Sequence, residues 1–233
     1  EDDANAKRGG EIFAMGYPLS NFSVYHGSWP TMEPMSAVYE GLWTFCGVGI
    51  GNDPQDYASC GLLAESWDIT DGGKTITIKL RKGAKWQNLA PGNGREFVAS
   101  DVIATWDRAM ATNEATRVHP VVREFESYEA LDNYTIKIVQ KEARADTLYK
   151  MTRTAFMFEL PEISGRFDIE DRTGPSDDYL RKEGAIGTGP FQVLSHTPDT
   201  EIVFARNDTY WGGSGVQEHP VLRDATTFID KYH

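Results

Sequence analysis

The stretch formed by residues 61–110 constrains the fold of this chain more than any other part. Within it, the runs 67–70 and Thr75–Leu80 each alternate apolar and polar residues, and Asp71-Gly72-Gly73-Lys74 lies between them. Two alternating runs around Asp-Gly-Gly predict a β-hairpin, because glycine supplies the positive φ angles that a tight turn requires. In the second run Ile76, Ile78 and Leu80 share one face, which we expect to be buried.

A helix is predicted at the end of the same stretch. Ser100 is its expected N-cap and Asp101 falls in its first turn, where a negative charge suits the positive end of the helix. Apolar residues recur there at helical spacing and predict its buried stripe: Val102, Ile103, Trp106 and Met110. We also expect Trp67, Trp86 and Trp106 to be core residues and not ligand contacts.

The rest of the chain mixes short helices with hairpins, which indicates an α/β fold with a mixed sheet. Strands are predicted at residues 9–17, 134–139 and 226–230, and helices at residues 34–43 and 144–151. A second hairpin is predicted from Phe191–Thr197 and Glu201–Arg206. Gly187-Thr188-Gly189-Pro190 before it is predicted to be a tight turn of the backbone.

Composition and charge exclude several classes of partner. The 233 residues carry a net charge of −12, so neither nucleic acid nor an anionic membrane surface is an expected partner. No apolar run approaches the ~20 residues that would span a bilayer. The polar beginning of the chain is interpreted as a mature terminus after processing.

Motifs for catalysis or metal binding are absent from the sequence. The five histidines lack metal-ligand spacing: His26, His119, His196, His219 and His233. There is no Gly-x-Ser-x-Gly elbow, no phosphate-binding loop and no complete calcium loop. The sequence therefore predicts no cofactor, no metal and no enzymatic activity, and a secreted hydrolase stays a weaker alternative.

A series of motifs resembles the extracellular solute-binding proteins of family 5, the peptide and nickel class of ABC importers. The motifs follow in order along most of the chain: Val38-Tyr39-Glu40-Gly41-Leu42, Leu63-Ala64-Glu65-Ser66-Trp67, Leu80-Arg81-Lys82-Gly83-Ala84-Lys85-Trp86, Ser100-Asp101-Val102, Gly187-Thr188-Gly189-Pro190-Phe191 and Arg206-Asn207-Asp208-x-Tyr210-Trp211-Gly212. The resemblance covers the N-terminal portion of such a protein.

The resemblance implies a periplasmic-binding-protein-like fold of type II, peptide-binding class, with an extra α+β subdomain. By that comparison residues 1–45 and 175–233 belong to the first lobe, and residues 46–174 form the subdomain. The second lobe is expected to be absent from this chain and supplied by the remainder of the protein.

The two cysteines, Cys46 and Cys60, bracket a turn rich in glycine and aspartate. Their residues alone allow a disulfide or two buried thiols. Metal binding is not expected, because no histidine stands at ligand spacing from either. The resemblance implies export to an oxidising compartment, which favours the disulfide.

Candidate ligand contacts come from a loop crowded with aromatic residues. Aromatic faces stack on sugar rings and peptide groups, although such residues can equally be packed in a core. The resemblance implies that this loop lines the cleft and that a second rim comes from the subdomain. The candidates are Tyr17, Phe22, His26, Gly27, Ser28, Trp29 and Met32 in the loop, with Arg153 and Met157 in the second rim.

The expected function is binding of a small solute outside the cytoplasm and its delivery to an ABC transporter permease. An oligopeptide is the first expectation for the ligand, and an oligosaccharide or a metal complex is the alternative within the family. A structural or sensory domain without a permease is a third possibility. The location is periplasmic or extracellular, with the membrane reached only through the permease or through a lipid anchor.

Overall fold

The computed structural model describes residues 22, 24, 32–45, 59–111, 119–152, 156–165, 185–197 and 200–213. The helices are α1 (Met32–Met35), α2 (Ala99–Ala111), α3 (His119–Val122), α4 (Thr147–Met151) and α5 (Pro161–Ser164). The strands are β1 (Trp43–Phe45), β2 (Ser59–Gly61), β3 (Ala64–Thr70), β4 (Thr75–Leu80), β5 (Phe125–Asp132), β6 (Thr135–Gln140), β7 (Phe191–Thr197) and β8 (Glu201–Arg206). The predicted strands at residues 9–17 and 226–230 lie outside the described residues.

A four-stranded antiparallel sheet with the order β3-β4-β6-β5 forms the largest unit. The predicted hairpin is confirmed, since Thr70 pairs with Thr75 across the 3₁₀ turn Asp71–Gly73. Ile76 and Ile78 pair with Ile138 and Ile136 on the next strand, and all four are buried. Strand β5 was not predicted; as an edge strand it leaves most side chains in solvent, so its sequence lacks a clear apolar face.

Helix α2 packs against β5. The Trp106 ring meets Tyr128 edge to face, with ring centroids 5.3 Å apart, and is fully buried. The predicted stripe is correct at Val102 and Trp106 but wrong at Met110, which is 38% exposed. Thr105 and Ala109 complete the buried face instead. An α-helix turns 100° per residue. Ala109 therefore faces the sheet together with Val102 and Trp106, whereas Met110 is rotated away from it.

The start of α2 differs from the prediction. Ser100 lies inside the helix, so its expected role as N-cap is wrong. The buried Asp101 carboxylate instead reaches back and accepts the backbone N–H of Val98 at 3.0 Å. It also accepts the Trp86 indole N–H at 3.1 Å and two bonds from Arg95 at 2.9 Å. One carboxylate therefore joins the helix to the loop that precedes it.

The predicted core tryptophans behave differently from one another. Trp86 and Trp106 have no exposed surface, which confirms the prediction for both. Trp67 is only half-buried, and its ring packs edge to face against Trp43 with centroids 5.5 Å apart. Because β3 is an edge strand, one side of Trp67 has no neighbouring strand to cover it.

The predicted helix at residues 34–43 is wrong. Helix α1 ends at Met35, a turn follows, and strand β1 begins at Trp43. In a helix, the carbonyls of Ala37 and Val38 would each accept a hydrogen bond from the backbone N–H four residues later, and they do not. They accept the distant amides of Phe191 and Gly189.

The second hairpin is confirmed, with Phe191 paired to Arg206 and Thr197 to Glu201. A register shift between Val193 and Ser195 marks a bulge on β7. The four-stranded sheet falls within the predicted subdomain, and the β7–β8 hairpin falls within the predicted return to the first lobe. The boundaries of those domains stay a prediction.

Candidate functional site

Residues 36–42, named here the central segment, are held by amides from three remote parts of the chain. Phe191 N donates to Ala37 O at 3.0 Å, and Gly189 N donates to Val38 O at 2.8 Å. Phe158 N donates to Glu40 O at 3.2 Å, and Leu62 N donates to Leu42 O at 2.8 Å. The central segment is thus the place where the early, middle and late parts of the fold meet.

The tight turn at residues 187–190 contacts the central segment through its glycines. A Cβ atom placed on Gly187 would lie 2.0 Å from the Val38 carbonyl oxygen, and one on Gly189 would lie 2.6 Å from it. Real side chains never approach so closely, so the contact requires glycine at both positions. This is the tight backbone turn that the sequence predicted.

Gln87 fixes the other side of that turn. Its backbone N–H donates to Gly187 O at 2.9 Å, and its side-chain amide donates to Phe191 O at 2.7 Å. Gly187 N donates in return to the Gln87 side-chain carbonyl at 3.4 Å. The N–H groups of Gly187 and Gly189 are therefore used within the protein, which leaves the turn structural and not anion-binding.

The Glu40 side chain is the buried polar centre of this region. Its two carboxylate oxygens accept the Tyr210 hydroxyl at 2.7 Å and the Trp211 indole N–H at 2.8 Å. The guanidinium of Arg81 lies over the Trp211 ring, 5.0 Å from its centroid. Burial raises the pKa of Glu40 to about 7, and the bonds from Trp211 and Tyr210 oppose that rise.

A second buried carboxylate, Glu159, follows the residue that bonds to Glu40 O. Its exposure is 1%, and neither of its oxygens has a hydrogen-bond partner among the residues that the structure describes. Burial raises the pKa of Glu159 to about 8, and the positive charge of Arg108 opposes that rise. The negative charge of Glu159 also contributes to raising the pKa of the buried Tyr39 hydroxyl.

The structure describes only some of the predicted ligand contacts. Phe22 and Met157 are core residues with 0% and 3% exposure, so neither offers a surface to a ligand in this structure. Met32 begins α1. The other candidates lie outside the described residues and stay predictions: Tyr17, His26, Gly27, Ser28, Trp29 and Arg153.

Cys60 lies in β2 opposite Thr44 of β1. The described residues contain no free cysteine. Phe45 pairs with Ser59, so the ladder ends next to Cys46 in the sequence. Cys46 itself lies outside the described residues, and its pairing with Cys60 stays a prediction.

The described segments contain neither a metal-binding cluster nor a membrane-spanning helix. No group of three histidine, cysteine, aspartate or glutamate side chains there could hold a metal ion. None of the helices in those segments is long and apolar enough to cross a bilayer.

Sequence reasoning missed Glu40, Gln87 and Glu159 as important polar residues. Glu40 stands in a motif that identified the family, but its bonds to the late motif at Tyr210 required the fold. Glu159 had a local signal, since it is the one charged residue in the apolar run Phe156-Met157-Phe158-Glu159-Leu160.

The family model described as bacterial extracellular solute-binding proteins, family 5 middle, matches residues 61–222. The chain belongs to this family. Members of family 5 are solute-binding proteins of ABC importers and not enzymes, and they work in the periplasm or outside the cell.

Curated relatives include di- and tripeptide-binding members of family 5. Di/tripeptide-binding protein 3 of Pseudomonas aeruginosa is 32% identical over 163 residues, which is 64% of this chain and 29% of that protein. The dipeptide-binding protein of Escherichia coli is 31% identical over 161 residues, which is again 64% of this chain and 29% of that protein. Heme-binding protein A of Haemophilus influenzae is 27% identical, over 71% of this chain and 32% of that protein.

Solved structures of family 5 proteins share the fold. The periplasmic binding protein DppA from Helicobacter pylori in complex with peptide STSA matches 85% of this chain with a TM-score of 0.67 and 23% identity. NikA from Brucella suis in complex with Fe(III)-EDTA matches 85% with a TM-score of 0.64 and 24% identity. The type II periplasmic-binding-protein fold is thereby confirmed. This chain covers 38% and 36% of those two chains, and about a third of the curated relatives' length.

Proposed function

We propose that the receptor to which this chain belongs binds an oligopeptide outside the cytoplasm and delivers it to an ABC importer. The peptide-binding relatives support this ligand class over other solutes. Delivery requires a permease partner, which the family membership supports.

One contact of the structure carries the proposal. Phe158 N bonds to Glu40 O, which sets residues 156–160 beside the central segment. The predicted loop contacts, residues 27–32, lead into the central segment, and the predicted second rim, residues 153–157, leads into Phe158. The hydrogen bond therefore joins the segments that follow the two predicted rims, and it supports the proposal that Gly27, Ser28, Trp29 and Arg153 face one ligand; Met157 is excluded because it is buried.

The proposed mechanism is closure of two lobes around the ligand. Closure is a shift between open and closed populations, so a ligand favours it only by contacting both lobes. The domain division 1–45, 46–174 and 175–233 is part of this proposal. The opposing lobe is assigned to the remainder of the protein, in line with the chain's share of its relatives.

A second ligand class is kept because specific relatives favour it. Heme-binding protein A and the Fe(III)-EDTA complex of NikA are family members whose ligands are metal complexes. An oligosaccharide is also kept as a candidate ligand, and its support is the predicted aromatic loop. A lipid anchor to the cell envelope likewise stays a prediction.

A thermal-shift screen of the whole protein against peptides, oligosaccharides and metal complexes tests the proposal. A ligand at 100 times its Kd stabilises the native state by about 2.7 kcal/mol, which is readily visible as a higher Tm. We expect di- to oligopeptides to raise Tm. A response only to sugars or to metal complexes would replace the peptide assignment.

Variants locate the binding surface. Trp29→Ala should abolish the peptide-induced rise in Tm if the aromatic loop contacts the ligand. Leu131→Ala is the matched control, because Leu131 is an apolar residue that is 53% exposed on strand β5. An unchanged response in Trp29→Ala would remove this residue from the site while leaving the ligand class intact.

A further inference from the structure

Glu159 is a buried carboxyl group without hydrogen-bond donors from the described residues. A buried carboxylate that is ionised normally needs a cation or several hydrogen-bond donors, because removing the charge from water is costly. Glu159 is 1% exposed, and neither oxygen accepts a hydrogen bond from any of the described residues. The carboxylate of Glu40, the residue whose backbone carbonyl bonds to Phe158 N, differs in this respect, since each of its oxygens accepts a hydrogen bond.

Two titratable side chains bear on Glu159 from the elements around it. Arg108 comes from α2, and its guanidinium donates to the Ser164 carbonyl. Its charge favours the ionised form of Glu159, but within the described part of the chain no hydrogen bond or ion pair joins the two. Tyr39 comes from the central segment, and its buried hydroxyl also has no hydrogen-bond partner in the described part of the chain.

The charged residue on the helix that follows Glu159, α5, is already engaged. Glu162 on α5 pairs with Arg95 at 2.6 Å. The Arg95 guanidinium also bonds to Asp101 at 2.9 Å. The Arg95 cation is therefore already shared between two other carboxylates, and the neutral carboxylic acid is the form of Glu159 that this environment tolerates.

We propose that Glu159 is a proton-linked switch: the folded chain holds its carboxyl group protonated, and loss of that proton loosens residues 156–160 from the central segment. The contact at risk is the bond from Phe158 N to Glu40 O, one residue away. If the proposed function holds, the switch would also bear on the predicted rim residue Arg153. The tests below use no ligand and do not depend on that function.

The sign of the effect follows from the raised pKa. A carboxyl group whose pKa is higher in the folded chain binds more protons there than in the unfolded chain. Its contribution to stability is therefore full below the unfolded pKa, near 4.5, and is lost as the pH rises to about 8. Weakly alkaline solution should destabilise the wild type relative to a variant that cannot ionise.

Glu159→Gln supplies that variant, because the amide has the shape of the neutral acid and does not titrate. We expect the unfolding constant of the wild type to rise relative to that of Glu159→Gln by up to about tenfold per pH unit within the window. Glu129→Gln is the control, since Glu129 is an exposed carboxylate on β5. Its ratio to the wild type should not change with pH.

A constant ratio between wild type and Glu159→Gln from pH 5 to pH 9 would overturn the proposal. A ratio that falls with rising pH would also overturn it, because it would show an ionised, paired Glu159. If Glu159→Gln does not fold, the carboxyl carbon resonance of Glu159 in the wild type decides the matter. A midpoint well above the ordinary glutamate value supports the switch, and a midpoint at or below that value rejects it.

Discussion

The hydroxyl of Tyr210 donates a 2.7 Å hydrogen bond to the carboxylate of Glu40, across 170 positions of sequence. The neighbouring Trp211 donates to the other carboxylate oxygen at 2.8 Å. Glu40 itself is 5% exposed. A single buried carboxylate therefore fastens the end of the second hairpin to the central segment.

Glu40→Gln should destabilise the protein by about 1–3 kcal/mol, because the amide presents an N–H where Tyr210 or Trp211 also presents a donor. Urea denaturation at pH 8 measures the change. Glu129→Gln, an exposed substitution of the same kind, should change the free energy of unfolding by less than about 0.5 kcal/mol. Equal effects of the two substitutions would mean that the Glu40 hydrogen bonds contribute little.

Gly187→Ala should cost about 3 kcal/mol or more, since its Cβ would lie 2.0 Å from the Val38 carbonyl oxygen and the backbone would have to move. Gly83→Ala is the comparison. Gly83 has open space around it but a φ of 81°, so only backbone strain of about 1 kcal/mol is expected. Thermal unfolding of the two variants measures the difference, and a smaller loss for Gly187→Ala would contradict the close contact.

Trp106→Ala should destabilise by about 3–5 kcal/mol, because it removes a fully buried ring that packs against Phe125 and Tyr128. Met110→Ala, one turn further along α2, should cost about 1 kcal/mol or less. Chemical denaturation of both variants checks the orientation of the helix. A large loss for Met110→Ala would restore the stripe that the sequence predicted.

A disulfide between Cys46 and Cys60 should be found by mass spectrometry of unreduced peptides. Closing a loop of about 15 residues stabilises by about 3 kcal/mol through restriction of the unfolded chain. Reduction should therefore lower Tm, and the double variant Cys46→Ser/Cys60→Ser should have the low Tm with or without reductant. Two alkylatable thiols in the unreduced protein would exclude the bond.

Local structure was predictable where the partners are close in sequence. The hairpin of β3 and β4 follows from alternation and from Asp71-Gly72-Gly73, and both signals lie within a few residues. The helix predicted at residues 34–43 failed for the opposite reason. Its apolar spacing suits a helix, but the Ala37 carbonyl accepts a hydrogen bond from the backbone N–H of Phe191. That residue is too far away in the sequence for a local pattern to reveal it.

The candidate site divides in the same way. Motifs that include Glu40 and Tyr210 identified the family, but the sequence did not show that these two side chains form a hydrogen bond in the folded chain. Phe22 was an attractive ligand contact as an aromatic residue in a polar loop, but its ring is buried and meets His196 edge to face at 5.4 Å. Composition does not distinguish an aromatic side chain that packs from one that binds.

The 170-residue separation between Glu40 and Tyr210 has a consequence for synthesis. At ribosomal rates of about 5–20 residues per second, Glu40 waits roughly 10 to 30 seconds for its donors. The hairpins can form during that interval from contacts within themselves, whereas the carboxylate cannot be desolvated with its bonds in place. A nascent chain that stops before Trp211 therefore lacks more than a tail, because the central segment would be without the two groups that donate hydrogen bonds to Glu40.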